Sequence, residues 1–202
     1  YALELLIAAE DKDFQTLDSD YRDFLQSVKK TLIAQQQDPE FGKTTREGQF
    51  IELNRNIGEL IQKNIGELKA FIRKVTNNPD RDFGEVAWPS LFAGYGGTQP
   101  SGCHAYMPGV VNLTVLRDHL LVPACHFAPF DKIIEGRFRA QGNKVHFIDD
   151  EVYHNSMGEI HCGTNVLRNP DRQWLTLRQV QAVQHVKEQF RRVHAPADQG
   201  KK

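Results

Sequence analysis

Strand-like and helix-like hydrophobic patterns alternate along this chain, and this alternation constrains the fold more than any other feature. The predicted order is strand, helix, helix, strand, strand, helix, strand, strand, helix, which is typical of an α/β or α+β protein, and we assign the chain to the α/β class. For the first segment a helix start is the alternative. The predicted strands cover 2–9, 86–92, 110–116, 144–150 and the approach at 158–162, and the predicted helices cover 19–36, 50–75, 132–143 and 173–193.

The two longest helical patterns come early in the chain. In 19–36 the apolar residues recur at helical spacing, and in 50–75 the sequence NIGEL occurs twice, eight residues apart. Eight residues are close to two helical turns, so both copies lie on the same face of one helix. The duplication therefore indicates helix patterning, because it is much shorter than the repeat of a solenoid protein.

Composition excludes several classes of protein. The 202 residues carry a net charge of −1 with 40% hydrophobic and 25% charged residues, as in a globular protein without a bulk attraction to nucleic acid or anionic membrane. No apolar run approaches the roughly 18 residues that span a bilayer, and the first residues lack a basic signal-peptide region, so we expect a cytoplasmic protein. The chain begins with Tyr1 rather than Met, as a processed product or a fragment would.

The stretch GEIHCGTN at 158–165 contains one of only three cysteines. Three cysteines without C-x-x-C spacing predict neither a disulfide scaffold nor a zinc site. A thiolate is a strong nucleophile, so Cys162 is a candidate catalytic residue, and a buried structural cysteine is the alternative. On a strand His161 would point away from Cys162, so a catalytic partner must come from elsewhere in the fold. We expect Cys103 and Cys125 to be structural.

Other polar residues favour structural roles. The pairs His119 with His126 and His154 with His161 lack the i, i+4 spacing of a zinc-binding helix, so we expect structural or surface histidines. The acidic run at 149–151 follows a predicted strand, where carboxylates are usually solvated turn residues.

The segment HFIDDEVYHNSMGEIHCGTNVLRNP, at 146–170, resembles the end of the protein-arginine deiminase catalytic domain. That family has F-[IV]-[ND]-D, then Tyr-His, then G-E-[VI]-H-C-G-T-N, then an Arg and a Pro. Upstream, 105–123 is similar to the family's F-P-N-M-V-N stretch and its H-L-x-[IV]-P, and WPSLF at 88–92 resembles I-P-x-L-F. The resemblance covers most of 1–170.

The resemblance implies a five-bladed pentein-type α/β propeller, of which this chain supplies about the last two ββαβ units. It implies that 1–172 is the C-terminal portion of the catalytic domain. The helix predicted at 173–193 from its apolar spacing extends past the usual end of the family, and we expect the rest of 173–202 to be a disordered tail. The resemblance further implies a hydrolase in which Cys162 converts peptidyl arginine to peptidyl citrulline through a thiouronium intermediate. The implied cofactor is calcium, with ligands outside this chain, and the implied partners are arginine-containing proteins or peptides. We expect no nucleic acid or membrane partner, and the oligomeric state stays open.

Two departures from the family pattern keep alternatives open. The family's catalytic histidine and two aspartates precede the segment that resembles 1–10, so this chain would hold the nucleophile without its partners and be inactive alone. Six residues before the cysteine, Ser156 stands where vertebrate members of the family carry an arginine. The alternatives are a non-catalytic, deiminase-like protein-binding module and a deiminase of small guanidine molecules.

Overall fold

A computed structural model describes residues 1–83, 85–94, 102–156 and 158–164. These residues belong to one unit, Tyr1–Thr164, with six α-helices, a short 3₁₀ helix and five short strands among them. The helices are α1 (Ala2–Ala8), the 3₁₀ helix (Asp11–Phe14), α2 (Ser19–Gln35), α3 (Arg46–Val75), α4 (Ala128–Ala140), α5 (Glu151–Asn155) and α6 (Ile160–Gly163). The strands are β1 (Phe92–Gly94), β2 (Cys103–Ala105), β3 (Thr114–Leu116), β4 (His119–Pro123) and β5 (Lys144–Ile148).

The two long helices α2 and α3 begin at polar caps. The Asp18 carboxylate accepts a hydrogen bond from Asp20 N at 3.1 Å, and the Thr45 hydroxyl accepts one from Gly48 N at 3.2 Å, so each helix starts with a satisfied donor. On α2 the apolar residues at helical spacing are buried, namely Leu25, Val28 and Leu32. Burial of such side chains, at about 1.5–3 kcal/mol each, holds α2 against its neighbours.

A side chain from α3 positions the first strand. The side-chain Nδ2 of Asn54 donates to Phe92 O at 3.0 Å, and Phe92 N donates back to Asn54 Oδ1 at 2.8 Å. This reciprocal pair satisfies both main-chain groups of Phe92 at the start of β1. The buried residues of α3 lie in its first turns, whereas Leu68 and Phe71 near its end are exposed.

The strands form two small sheets. β1 pairs antiparallel with β2, and β3 forms an antiparallel hairpin with β4. β4 and β5 are parallel, with His119 opposite Lys144, and α4 connects them. A parallel pair requires a crossover, and an α-helix is its usual form.

Aromatic residues join the helices to the larger sheet. Phe127 contacts Phe14 and Phe130 with ring centroids 5.2 and 5.0 Å apart, and all three rings are fully buried. Trp88 stacks on Phe138 of α4 at 4.3 Å. These contacts place the core between α1, α2, α4 and the buried face of β4.

Several predicted elements are confirmed. The helices predicted at 19–36, 50–75 and 132–143 correspond to α2, α3 and α4, and the strand at 144–150 corresponds to β5. The strand β4 is not among the predicted elements. The mixed content of helix and sheet fits the α/β class. The propeller stays a prediction, and the boundary at 172/173 and the helix at 173–193 lie outside the described residues.

The strand predicted at 2–9 is wrong, because that segment forms α1. Ala, Leu and Glu favour helix, and Ala2, Leu6 and Ala9 are buried at helical spacing. The strand predicted at 86–92 is also wrong over most of its length, since β1 begins only at Phe92, after a proline that has no main-chain donor.

Of two further strand predictions, the one at 110–116 is confirmed only in part and the one at 158–162 is wrong. In 110–116 only Thr114–Leu116 is strand, because Asn112 N donates to Gly109 O at 3.0 Å and closes a turn. The approach at 158–162 is not a strand but leads into the helical turn α6. Among the described helices, none is long and apolar enough to cross a membrane.

Candidate active site

Cys162 lies on the short helix α6, and a buried carboxylate anchors the start of that helix. Asp150, which is only 3% exposed, accepts a hydrogen bond from Ile160 N through Oδ2 at 2.9 Å. The first N–H groups of a helix have no partner within it, so this carboxylate replaces a missing acceptor. Burial raises the pKa of Asp150 most, and repulsion from Glu159 adds to the rise, while the bond from Ile160 opposes it.

Glu159 anchors the same segment from the other side. Its Oε1 accepts from Gly109 N at 2.7 Å and lies 3.3 Å from His154 Nδ1, and both the Glu159 and His154 side chains are 9% exposed. A Cβ atom at position 109 would lie 3.3 Å from both carboxylate oxygens, so glycine permits this close approach. The hydrogen bond from Gly109 N joins the loop at 108–112 to the segment that contains Cys162.

Asn112 brings an amide to the cysteine sulfur. Its Nδ2 donates to Cys162 Sγ at 3.3 Å, and its main-chain oxygen accepts from His161 N at 3.3 Å. Two residues further on, the hydroxyls of Thr114 and Thr164 are hydrogen-bonded at 2.9 Å. The end of the turn and the start of β3 therefore run alongside α6.

The three cysteines differ in environment. Cys162 is exposed, and the hydrogen bond from Asn112, together with a smaller main-chain contribution at Glu159, lowers its pKa below the ordinary thiol value. Cys125 is buried, and desolvation raises the pKa of its thiol, which donates to Pro108 O at 3.3 Å. Cys103 is exposed on β2. Cys162 is thus an accessible thiol that ionises more readily than an ordinary thiol.

A cavity of about 260 Å³ adjoins this arrangement. Its wall contains Asn112, His154 and Glu159, and also Gly158, where a side-chain Cβ would lie 3.6 Å from Cys162 Cβ. The polar groups that anchor α6 therefore also line a concave space next to the thiol, which is a common setting for a binding site.

The structure corrects part of the predicted site. His161 lies on a helical turn, where successive side chains point about 100° apart, so the strand argument that separated it from Cys162 does not apply. The prediction of solvated carboxylates at 149–151 is wrong for Asp150, which is buried, although Asp149 and Glu151 are exposed. The expectation that Cys125 is structural fits its burial.

Three residues of the site are not singled out by the sequence reasoning. Asn112 lies within a predicted strand, His154 is expected to have a structural or surface role, and no role is predicted for Glu159. For Asn112 the available signal is its place in the stretch similar to F-P-N-M-V-N, and for His154 and Glu159 it is the Tyr-His and G-E of the family motif.

Calcium does not fit the described residues. Within 1–83, 85–94, 102–156 and 158–164, no group of three or more His, Cys, Asp or Glu side chains is placed to hold a metal ion. Calcium is usually bound by about six to eight oxygen ligands with several carboxylates among them, and the described residues hold no such carboxylate cluster.

Comparison with known proteins identifies related sequences. The family model described as protein-arginine deiminase matches residues 20–176. The chain is 40% identical over 77 residues to protein-arginine deiminase type-1 of Mus musculus and 39% identical over 93 residues to type-3 of the same species. It is 38% identical over 81 residues to type-4 of Homo sapiens.

The relatives are much longer than the matched segment. The matches cover 33, 41 and 35% of this chain, but only 11, 13 and 12% of the type-1, type-3 and type-4 proteins, respectively. The similarity therefore concerns a small portion of each relative.

Proposed function

The chain belongs to the protein-arginine deiminase family, and from this premise we propose that the polypeptide carrying it converts peptidyl arginine to peptidyl citrulline, with Cys162 as the nucleophile. The observation that carries the proposal is an exposed thiol with a lowered pKa, held by an amide beside a cavity. An activated cysteine of this kind suits covalent catalysis.

The proposed reaction has two stages. The Cys162 thiolate attacks the guanidinium carbon of arginine, a C–S bond forms, and one C–N bond breaks as protonated nitrogen leaves as ammonia. Water then adds to the thiouronium carbon, the C–S bond breaks, and the thiolate is regenerated with citrulline as product. The net change adds one water to arginine and releases ammonia, with no oxidant or reductant.

Proton transfer in this reaction requires groups other than the cysteine's own partner. The leaving nitrogen needs an acid and the attacking water needs a base. Among the described residues, the side chain hydrogen-bonded to Cys162 is the Asn112 amide, which is neither an acid nor a base. Following the family pattern, in which the catalytic histidine and two aspartates precede the segment similar to 1–10, we propose that the acid–base histidine and the aspartates that bind the guanidinium come from outside this chain, and that the chain alone does not turn over.

The test is citrulline formation by the native polypeptide that carries this sequence. With an arginine-containing peptide as substrate, Cys162→Ala should abolish citrulline and ammonia production, while Cys103→Ala, which changes the other exposed thiol, should retain both. Mass spectrometry of a stalled reaction should find the covalent adduct on the peptide containing Cys162. Full activity of Cys162→Ala would refute the proposal.

The substrate class is tested in the same assay. Free arginine and an arginine-containing peptide differ in the main-chain groups that a protein-directed enzyme can contact. We expect the peptide to be the better substrate by kcat/KM. A preference for free arginine would favour a small-molecule deiminase, and binding of arginine peptides without citrulline would favour a non-catalytic module.

A further inference from the structure

Asn112 contacts the α6 turn at two points. Its side-chain Nδ2 lies 3.3 Å from Cys162 Sγ, and its main-chain oxygen accepts from His161 N, also at 3.3 Å. One residue thus contacts both the main chain next to the nucleophile and the reacting atom itself.

The chemistry of the amide suits a thiolate rather than a thiol. The nearer atom is the Nδ2 donor, whereas Oδ1, the possible acceptor from S–H, lies 3.9 Å from the sulfur. An N–H donor stabilises negative charge on sulfur, and a neutral amide does not take up the proton. Asn112 can therefore favour ionisation without acting as a base.

The position of the amide is fixed by the surrounding contacts. Asn112 N donates to Gly109 O at 3.0 Å, and Gly109 N donates in turn to the buried Glu159, which lies three residues before Cys162. The turn and the helix are therefore joined at the main chain, at Glu159 and at the sulfur, and the donor is preorganised toward the sulfur.

Resting on the proposed deiminase function, we infer that Asn112 is a further catalytic residue, which holds the Cys162 sulfur as a thiolate at the edge of the cavity that both Asn112 and Gly158 line. In the step it assists, the S–H bond breaks, the proton goes to solvent water, and the electron pair stays on sulfur. The N–H of the amide then donates to that pair. The thiolate is the form that attacks the guanidinium carbon.

The test is the pH dependence of alkylation of the 202-residue chain by iodoacetamide, followed at each cysteine by peptide mass spectrometry. Cys103, the other exposed thiol, is the internal reference. In Asn112→Ala we expect Cys162 to react roughly three- to tenfold more slowly at pH 7, because a hydrogen bond to the charged form is lost. Asn112→Asp should be slower still, since its carboxylate repels the thiolate, and Cys103 should be unchanged in both.

A matched variant separates a direct effect from general loosening of the turn. Thr114→Val removes the hydroxyl that pairs with Thr164 but does not touch the sulfur, so the alkylation profile of Cys162 should stay as in the parent chain. The inference is overturned if both Asn112 variants, with native circular dichroism, leave the Cys162 profile unchanged. It is equally overturned if Thr114→Val slows Cys162 as much as Asn112→Ala does.

Citrulline formation by the native polypeptide keeps this inference distinct from the proposed function. If Cys162→Ala abolishes citrulline but the alkylation profile does not depend on Asn112, the deiminase function stands and the role of Asn112 fails. If the profile shifts as expected but no citrulline forms in the parent protein, the function fails while the interaction that favours the thiolate is real.

Discussion

Glu159 connects the parts of the candidate site at the scale of single residues. Its carboxylate is buried and receives the Gly109 N–H at 2.7 Å. A buried charge is tolerated when its oxygens are hydrogen-bonded, and the loss of such a bond costs more than the loss of an exposed one. The site therefore depends on glycine at position 109, because a larger residue there would crowd the Glu159 carboxylate.

Gly109→Ala should disrupt this contact. The added Cβ would lie 3.3 Å from both Glu159 oxygens, so the carboxylate must move and its hydrogen bond lengthens. We expect a loss of about 1–3 kcal/mol in the free energy of unfolding, measured by urea denaturation. The control is Gly136→Ala on α4, where an added Cβ meets nothing within 4 Å and should stabilise the helix by about 0.5–1 kcal/mol. Equal effects of the two variants would contradict this account.

At the scale of elements, periodic patterns predict the long helices and miss the short ones that depend on tertiary contacts. α2 and α3 show apolar residues at helical spacing over many turns, which the sequence displays directly. The α6 turn is only four residues long, and its first N–H is satisfied by Asp150, ten residues earlier in the chain. Such a contact leaves no periodic signal, so GEIHC is easily taken for a strand although its family motif is recognisable.

Glycines on α3 give a prediction for that helix. A Cβ added at Gly58, in the first NIGEL copy, would meet nothing within 4 Å, whereas a Cβ at Gly48 would lie 2.0 Å from Gly42 O. Gly58→Ala should therefore raise the unfolding free energy by about 0.5–1 kcal/mol, because alanine loses less backbone entropy in a helix. Gly48→Ala should lower it by more than that, since main chain must move. Thermal unfolding followed by circular dichroism measures both, and stabilisation by Gly48→Ala would contradict this packing.

At the scale of the whole molecule, two carboxyl groups that are shielded from solvent flank the α4–β5 segment in the sequence. The partly buried Asp131, in the first turn of α4, accepts from Cys125 N at 3.2 Å, and the buried Asp150 follows β5. Burial is the main cause that raises the pKa of each. The pKa values of Asp118 and Glu47 are lowered instead, by a hydrogen bond from Lys144 and by a main-chain hydrogen bond, respectively.

Raised carboxyl pKa values make the folded state bind protons more tightly than the unfolded state, whose carboxyls titrate near about 3.9. Their contribution to stability is therefore complete below that pH and is lost as the pH rises through the folded pKa.

The double variant Asp131→Asn, Asp150→Asn keeps an acceptor for each N–H but cannot ionise. Its unfolding free energy relative to that of the parent chain should rise as the pH increases from about 4 to 7, whatever constant offset the new amide N–H groups introduce. Asp118 and Glu47 titrate alike in both chains and cancel from this difference. Urea denaturation across that pH range measures this difference in unfolding free energy, and the variant of an exposed residue, Asp23→Asn, is the control. If the difference stays flat or falls with pH, burial does not control the ionisation of Asp131 and Asp150.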